Sequence, residues 1–362
     1  MDASIVILPG DGVGPEVISE SIKVLDAVAS KFKHNFNLTI GDIGGCAIDK
    51  YGTALPDITL EKCSNSDAIL MGAVGGPKWD NPSNKIRPED GLLKIRKSLK
   101  LFANIRPVKV YPSLINATPI KPEILKNVDI LVIRELTGGL YFGKPKKRWD
   151  TSKGRRGVDT LKYSEHEIRR ILKLAFELSG SRRKKLTSVD KQNVLETSRL
   201  WREIAIEMSS QYPEVELDHM LVDNAAMQLI RNPSDFDVIV SENTFGDILT
   251  DETAVLSGSM GMLPSASLSE ASSSSSSGMG LFEPIHGSAP DISGQGIANP
   301  IGSILSTAMM LRLSFNLNDE ALAIEKAVEG ILEDGYRTAD ISMGSQANAD
   351  TSKIGDLISG AI

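Results

Sequence analysis

Ser4-Ile-Val-Ile-Leu-Pro-Gly-Asp-Gly-Val-Gly-Pro-Glu16 packs a strand, a glycine turn and a helix start into one stretch. The apolar run 4–8 predicts a buried strand. Gly14-Pro-Glu16 then opens a helix, because proline suits the first helical position and an acid beside it is a start signal. Ile18, Ile22, Leu25, Ala29 and Phe32 are predicted to form that helix's apolar face. Strand, glycines and helix invite a dinucleotide-binding reading, but the spacing Gly10-x-Gly12-x-Gly14 lacks the final interval of the Rossmann fingerprint. The acid expected about 20 residues on is also misplaced, Asp42 lying too far along. The stretch therefore predicts an α/β protein with a tight strand-to-helix turn, and not a standard Rossmann fold.

The same rhythm continues outward. Strands are predicted at 37–41, 67–74, 107–111, 128–134, 186–190, 215–222 and 237–241, and helices at 164–179 and 194–210. In the last helix Val194, Trp201, Ile204 and Met208 should share a face. Near-continuous apolar strands separated by helices imply a largely parallel sheet. Two segments break the pattern. Residues 144–161 are polar and glycine-bearing, which suggests an inserted arm or extended hairpin. The serine run 272–277 can bury nothing and predicts a surface loop. At 362 residues the chain suits two domains better than one core.

Composition excludes several classes. With 41% hydrophobic and 24% charged residues, the chain is ordinary for a globular protein. A net charge of -7 argues against a nucleic-acid surface; the one basic cluster, 144–156, reads as a solvated loop or hairpin. Cys46 and Cys63 lack metal-like spacing, so a disulfide framework is not indicated and a reducing compartment is expected. The four histidines are scattered and offer no histidine-based metal site. No apolar run approaches the ~20 residues of a membrane span. Met1 leads straight into a strand, not a signal peptide, and a cytoplasmic location is the expectation.

The chemistry-bearing residues are carboxylates and arginines. Asp247 and Asp251 stand four apart, so on a helix both would point the same way. With Asp223 they would make an all-oxygen set suited to Mg²⁺ or Mn²⁺, although a solvated acidic helix face explains them as well. Arg96, Arg106 and Arg134 end or flank apolar runs, where a buried guanidinium needs either an internal carboxylate or a substrate carboxylate held bidentately. Lys191 follows a strand and Tyr141 lies in a glycine-rich turn. Either could be merely structural, but a lysine at a strand end, partly desolvated and close to a metal, could work as a base.

Taken together, several strings are distinctive. Leu8-Pro-Gly-Asp-Gly-Val-Gly-Pro-Glu16, Val74-Gly-Gly-Pro-Lys-Trp79, Arg134-Glu-Leu-Thr-Gly-Gly-Leu-Tyr-Phe-Gly143, Ser188-Val-Asp-Lys191, Phe245-Gly-Asp-Ile-Leu-Thr-Asp251 and His286-Gly-Ser-Ala-Pro-Asp291 run nearly end to end. In this order they resemble the β-decarboxylating dehydrogenase superfamily, and within it the isopropylmalate branch. The resemblance implies two α/β domains sharing a mixed, largely parallel sheet: a discontinuous cofactor domain, 1–101 plus 254–362, and an inserted dimerisation and substrate domain, 102–253, with an arm near 144–161. It implies a homodimer with shared active sites, in which Lys191 and Asp223 face the partner subunit's counterparts of Asp247 and Asp251.

Roles follow from the same resemblance. Asp223, Asp247 and Asp251 match the Mg²⁺ or Mn²⁺ ligands, Asp223 also touching substrate. Arg96, Arg106 and Arg134 match the malate-carboxylate clamp, Lys191 the base at the C2 hydroxyl, and Tyr141 the acid that protonates C3. The NAD site matches the loop 76–89, including Gly76 and Glu89, and the segment 287–299, with Gly287, Ser288, Ala289, Pro290, Asp291, Ile292 and Asn299. Leu92 and Leu93 would wall the pocket for the C3 substituent, which points to 3-isopropylmalate. They could equally be core residues. Isocitrate, homoisocitrate or tartrate dehydrogenases and a silent regulatory paralogue remain as alternatives. The departures are the serine run and Glu242 and Thr244, where the family often has smaller or apolar residues.

Overall fold

The computed structural model describes residues 1–270, 278–342 and 347–362, so the predicted serine loop at 272–277 lies outside the described residues. The strands are β1 (Asp2–Gly10), β2 (Asn35–Ile40), β3 (Ala68–Ala73), β4 (Ala103–Lys109), β5 (Asp129–Glu135) and β6 (Lys147–Thr151). They continue with β7 (Gly154–Val158), β8 (Lys185–Asp190), β9 (Glu216–Leu221), β10 (Val238–Ser241), β11 (Pro264–Leu268) and β12 (Gly280–Pro284). The helices begin with α1 (Gly14–Phe32), α2 (Gly45–Tyr51), α3 (Asp57–Ser64), α4 (Pro88–Ser98), α5 (Glu165–Gly180) and α6 (Glu196–Ser209). After them come α7 (Val222–Arg231), α8 (Asn243–Ala254), α9 (Ile301–Phe315), α10 (Asn318–Glu333) and α11 (Thr351–Ala361).

The chain forms two units: Met1–Leu101, Val110–Pro122 and Ala254–Ile362 make the first, Phe102–Lys109 and Glu123–Thr253 the second. In the first unit the strand order is β2–β1–β3–β12–β11, parallel except for β11 against β12. Val6, Leu8, Ile69, Met71 and Leu281 pack there against Ile43, Leu55, Ile95 and Leu101. Each such fully buried side chain contributes about 1.5–3 kcal/mol. In the second unit the order is β4–β5–β10–β8–β9, parallel except for β4 against β5. Helix α5 covers it with Ile168, Ile171, Leu172 and Phe176, its start fixed by a Ser164–Glu167 capping box. Residues β6 and β7 pair as a separate antiparallel hairpin within the segment read as an insertion. No helix among the described residues is long and apolar enough to cross a membrane.

Several local expectations are corrected. The buried face of α1 runs through Val17, Ile18, Ser21, Val24, Leu25 and Val28, leaving Ile22 and Ala29 at its edge. Val194 does not join Trp201, Ile204 and Met208, because α6 begins only at Glu196; Val194 sits in the preceding turn and is 63% exposed. β4 starts earlier than its apolar stretch because the polar Asn104 and Arg106 are buried as partners, Arg106 Nε donating to Asn104 Oδ1 at 2.7 Å. β11, β12 and α9 carry no clear pattern in sequence. Both strands are buried throughout and α9 on nearly every side, so neither alternation nor helical period appears.

Candidate active site

In the second unit, two helical carboxylates meet two buried arginines and a tyrosine. Asp247 and Asp251 lie on α8 with side chains 35% and 58% exposed. Arg134, at the end of β5, donates through Nη1 to Asp247 Oδ1 and through Nε and Nη2 to Asn243 Oδ1, at 3.0 and 2.8 Å. Arg106 on β4 lies 3.5 Å from Asp251 and 4.0 Å from Asp247, and donates to Thr250 Oγ1 at 2.6 Å. Both guanidiniums are nearly inaccessible, which is tolerable only because each is paired. The Tyr141 hydroxyl donates to Asp247 Oδ2 at 2.9 Å. Burial, and then the Asp247 charge, pushes that phenol up to about 12.

Elsewhere in this unit Lys191 Nζ donates to Asp223 Oδ1 at 2.6 Å, and the ammonium holds the Asp223 carboxyl below its usual range. Asp223 opens α7 and its side chain is 62% exposed. Asp223 and the Asp247–Asp251 pair are not brought together: among the described residues no three His, Cys, Asp or Glu side chains gather as a metal site.

In the first unit, the glycine turn after β1 organises loops. Gly10 and Gly12 have φ of 72° and 59°, and a Cβ on Gly12 would lie 2.0 Å from the Ser288 carbonyl oxygen. Val13 N–H donates to that oxygen at 2.8 Å. The buried Asp11 carboxylate accepts from the backbone N–H groups of Gly45, Cys46 and Gly75 at 2.7–2.9 Å. Glu89 and Ser288 then approach the same point, their side-chain oxygens 3.0 and 3.8 Å from where a Cβ of Gly75 would stand. Beside this turn lies a cleft of about 420 Å³ lined by Val13, Met260, His286, Ala289, Ile292, Ala298, Asn299 and Asp340, among others. His286 Nε2 is buried there with no partner among the described residues, and burial lowers the pKa of the ring.

Also in this unit, Arg96 Nη2 donates to Glu283 Oε1 at 2.7 Å, while Arg96 Nε is buried without a partner among the described residues. Leu92 packs partly on the core and Leu93 stands half-buried on the same helix.

The family model described as isocitrate/isopropylmalate dehydrogenase matches residues 4–358. The chain belongs to that family. It is 56% identical to the 3-isopropylmalate dehydrogenase of Halalkalibacterium halodurans, covering 100% of this chain and 98% of the relative. The enzyme of the same name from Anaeromyxobacter dehalogenans is 58% identical over 97% of this chain and 98% of its own. A crystal structure of isocitrate dehydrogenase from Methylococcus capsulatus superposes with a TM-score of 0.86 at 32% identity, covering 99% of each chain. The two-domain α/β fold of the family is therefore the fold of this chain.

Of the expected cofactor residues, Ala289, Ile292 and Asn299 line the cleft, and Ser288 is buried against the glycine turn. Gly287, Pro290 and Asp291 are exposed beside them, and Gly76 abuts the Trp79 ring. Sequence alone does not single out Val13, Met260, Asp340 or Asn243. His286 stands in a distinctive string, but only its orphaned ring nitrogen marks it as a candidate contact. Asp11 is visible in the glycine turn, yet its hydrogen bonds to distant loops leave no local pattern.

Proposed function

We propose that this chain catalyses the NAD-dependent oxidative decarboxylation of (2R,3S)-3-isopropylmalate to 4-methyl-2-oxopentanoate and CO₂, a step of leucine biosynthesis. The observation that carries the reading is the near full-length identity of 56–58% to enzymes of that name. The structural relative named for isocitrate is only 32% identical, so isocitrate is the weaker substrate reading.

The residues fit both implied cofactors. The cleft beside the glycine turn joins apolar walls to the unpartnered His286 nitrogen and the Asp340 carboxylate, a lining that suits an aromatic base with polar edges. NAD bound there supplies the hydride acceptor. Exposed Asp291 would accept from the ribose hydroxyls and repel a 2′-phosphate. Asp247 and Asp251 offer hard oxygens from one helix face, and Asp223 of a second subunit would complete the set for Mg²⁺ or Mn²⁺. That ion supplies Lewis-acid stabilisation of negative charge on the substrate oxygens.

The chain's own groups do the rest. Arg96, Arg106 and Arg134 hold the malate carboxylates, and Leu93, with Leu92 behind it, meets the isopropyl group. Lys191, in its neutral amine form and so after giving up one proton of the ammonium that pairs with Asp223, would take the C2 hydroxyl proton as hydride leaves C2. Tyr141 keeps its proton at neutral pH, as an ordinary phenol does, and it delivers that proton to C3 after CO₂ departs. The first unit would bind cofactor; the second would bind substrate and dimerise, with β6–β7 as the arm. Homodimerisation is supported by exposed apolar side chains beside the half-sites. Met227 lies one turn from Asp223 on α7 and is 55% exposed, and Ile248 follows Asp247 and is 60% exposed. A cytoplasmic location fits the biosynthetic role.

The test is NADH formation from a panel of 2-hydroxy diacids with Mg²⁺, with and without EDTA. 3-Isopropylmalate should be preferred over malate by more than about tenfold, since burying an isopropyl group contributes roughly 2 kcal/mol. Isocitrate turning over equally well, or full activity in excess EDTA, would reject the reading.

A further inference from the structure

Asn243 makes four contacts that link the clamp to the proton donor. Its Oδ1 accepts from Arg134 Nε and Nη2, and its Nδ2 donates to the Gly138 carbonyl at 3.1 Å. Its own backbone N–H donates to the Tyr163 hydroxyl at 2.9 Å. The residue is 1% exposed, so these polar atoms have no access to bulk water. Gly138 immediately precedes the turn 139–143 that carries Tyr141. Gly139 N–H bonds to Lys162 O, Gly143 N–H bonds to Gly139 O, and a Cβ on Gly139 would lie 2.7 Å from the Tyr163 hydroxyl. One carboxamide therefore fixes the guanidinium plane of Arg134 on one side and the backbone of the Tyr141 turn on the other. Both groups also reach the same carboxylate, Asp247, through its two oxygens.

We infer that Asn243 is a positioning residue that sets the distance between the carboxylate clamp at Arg134 and the proton donor at Tyr141. The inference rests on the function proposed above, in which the Tyr141 O–H bond breaks as the C3–H bond forms. An amide is needed because the two neighbours demand opposite roles: Arg134 offers only donors and Gly138 O only accepts. Aspartate at this position keeps the acceptor for Arg134 but places negative charge against the Gly138 carbonyl. Asn243→Asp should therefore separate the two functions, which a general loss of packing cannot do.

The experiment uses the full chain with Mg²⁺, and reads two quantities. One is the affinity for 3-isopropylmalate, which reports the clamp. The other is deuterium uptake at C3 of 4-methyl-2-oxopentanoate in D₂O, which reports proton transfer at that carbon without hydride transfer. Asn243→Asp should bind 3-isopropylmalate within about threefold of wild type while exchange falls by about tenfold or more, within the usual range for general acid–base catalysis. Asn243→Ala should lose both. Thr244→Val, beside it, replaces a hydroxyl that is buried without a partner among the described residues and should leave both unchanged. Equal exchange in Asn243→Asp and wild type, or parallel loss of affinity and exchange in that variant, would overturn the inference. So would failure of both Asn243 variants to fold, which would make the residue structural. If wild type itself neither binds 3-isopropylmalate nor exchanges the oxo acid, the proposed function fails instead.

Discussion

Arg96 offers the sharpest test of the proposed clamp because that role can be separated from its ion pair with Glu283. Its side chain and that of Glu283 are each 9% exposed and lie 2.7 Å apart, so each neutralises a charge that has little water around it. Arg96→Met leaves Glu283 buried without its cation and should destabilise the protein by about 3–5 kcal/mol. Arg96→Met combined with Glu283→Met removes both charges and should recover most of that loss. Arg96→Lys keeps a cation for Glu283 but lacks Nε, the buried donor that has no partner among the described residues. If that donor serves a substrate carboxylate, losing one charge-assisted hydrogen bond of about 1.5–3 kcal/mol weakens binding by about 10- to 150-fold. Urea unfolding measures the first effect, and titration with 3-isopropylmalate in the presence of Mg²⁺ measures the second. Wild-type affinity in Arg96→Lys, or an Arg96→Met protein as stable as wild type, would refute the reasoning.

The two proposed proton-transfer groups should differ in pre-steady-state kinetics: Lys191→Ala slows the NADH burst itself, whereas Tyr141→Phe leaves the burst and impairs later steps. Identical bursts in both variants and wild type would contradict both assignments. Asp291→Ser should narrow the preference for NAD over NADP, read as the ratio of kcat/KM values, and an unchanged ratio would remove Asp291 from the ribose site. His286 supplies a pH signature. Its folded pKa is depressed by burial below the roughly 6.5 of the unfolded chain. Below that value the unfolded state binds the extra proton, so the contribution is intact above pH 6.5 and lost as pH falls through the folded pKa. Wild type should lose thermal stability relative to His286→Asn between pH 7 and 5, with parallel behaviour above pH 7; parallel behaviour throughout would place the ring in water.

How much of this was legible in the chain depended on whether the signal was local. The run 4–16 announced β1, the turn and α1, and its glycine spacing already excluded a Rossmann fingerprint. Asp247 and Asp251 followed from a spacing of four, which any α-helix converts into a shared face. The family strings pointed to Tyr141, Lys191 and the arginines because each stands in a short segment that can be read without the fold. Elements buried on all sides, such as β11 and α9, were silent, because periodicity appears only where one face meets water.

Tertiary structure decided the partnerships. Arg96 and Glu283 are 187 residues apart, and nothing near either one names the other. Asp11 reaches Gly45 and Gly75, so a turn that looks like a phosphate loop works here as a brace for two other loops. Asn243 joins Arg134 to the Tyr141 turn across more than a hundred residues. The sequence by itself determined which charged and polar groups the chain carries and the local direction in which each leaves its strand or helix. Which group neutralises which was settled only on folding, because a buried charge or amide must find its complement among whatever the packed core brings within about 3 Å.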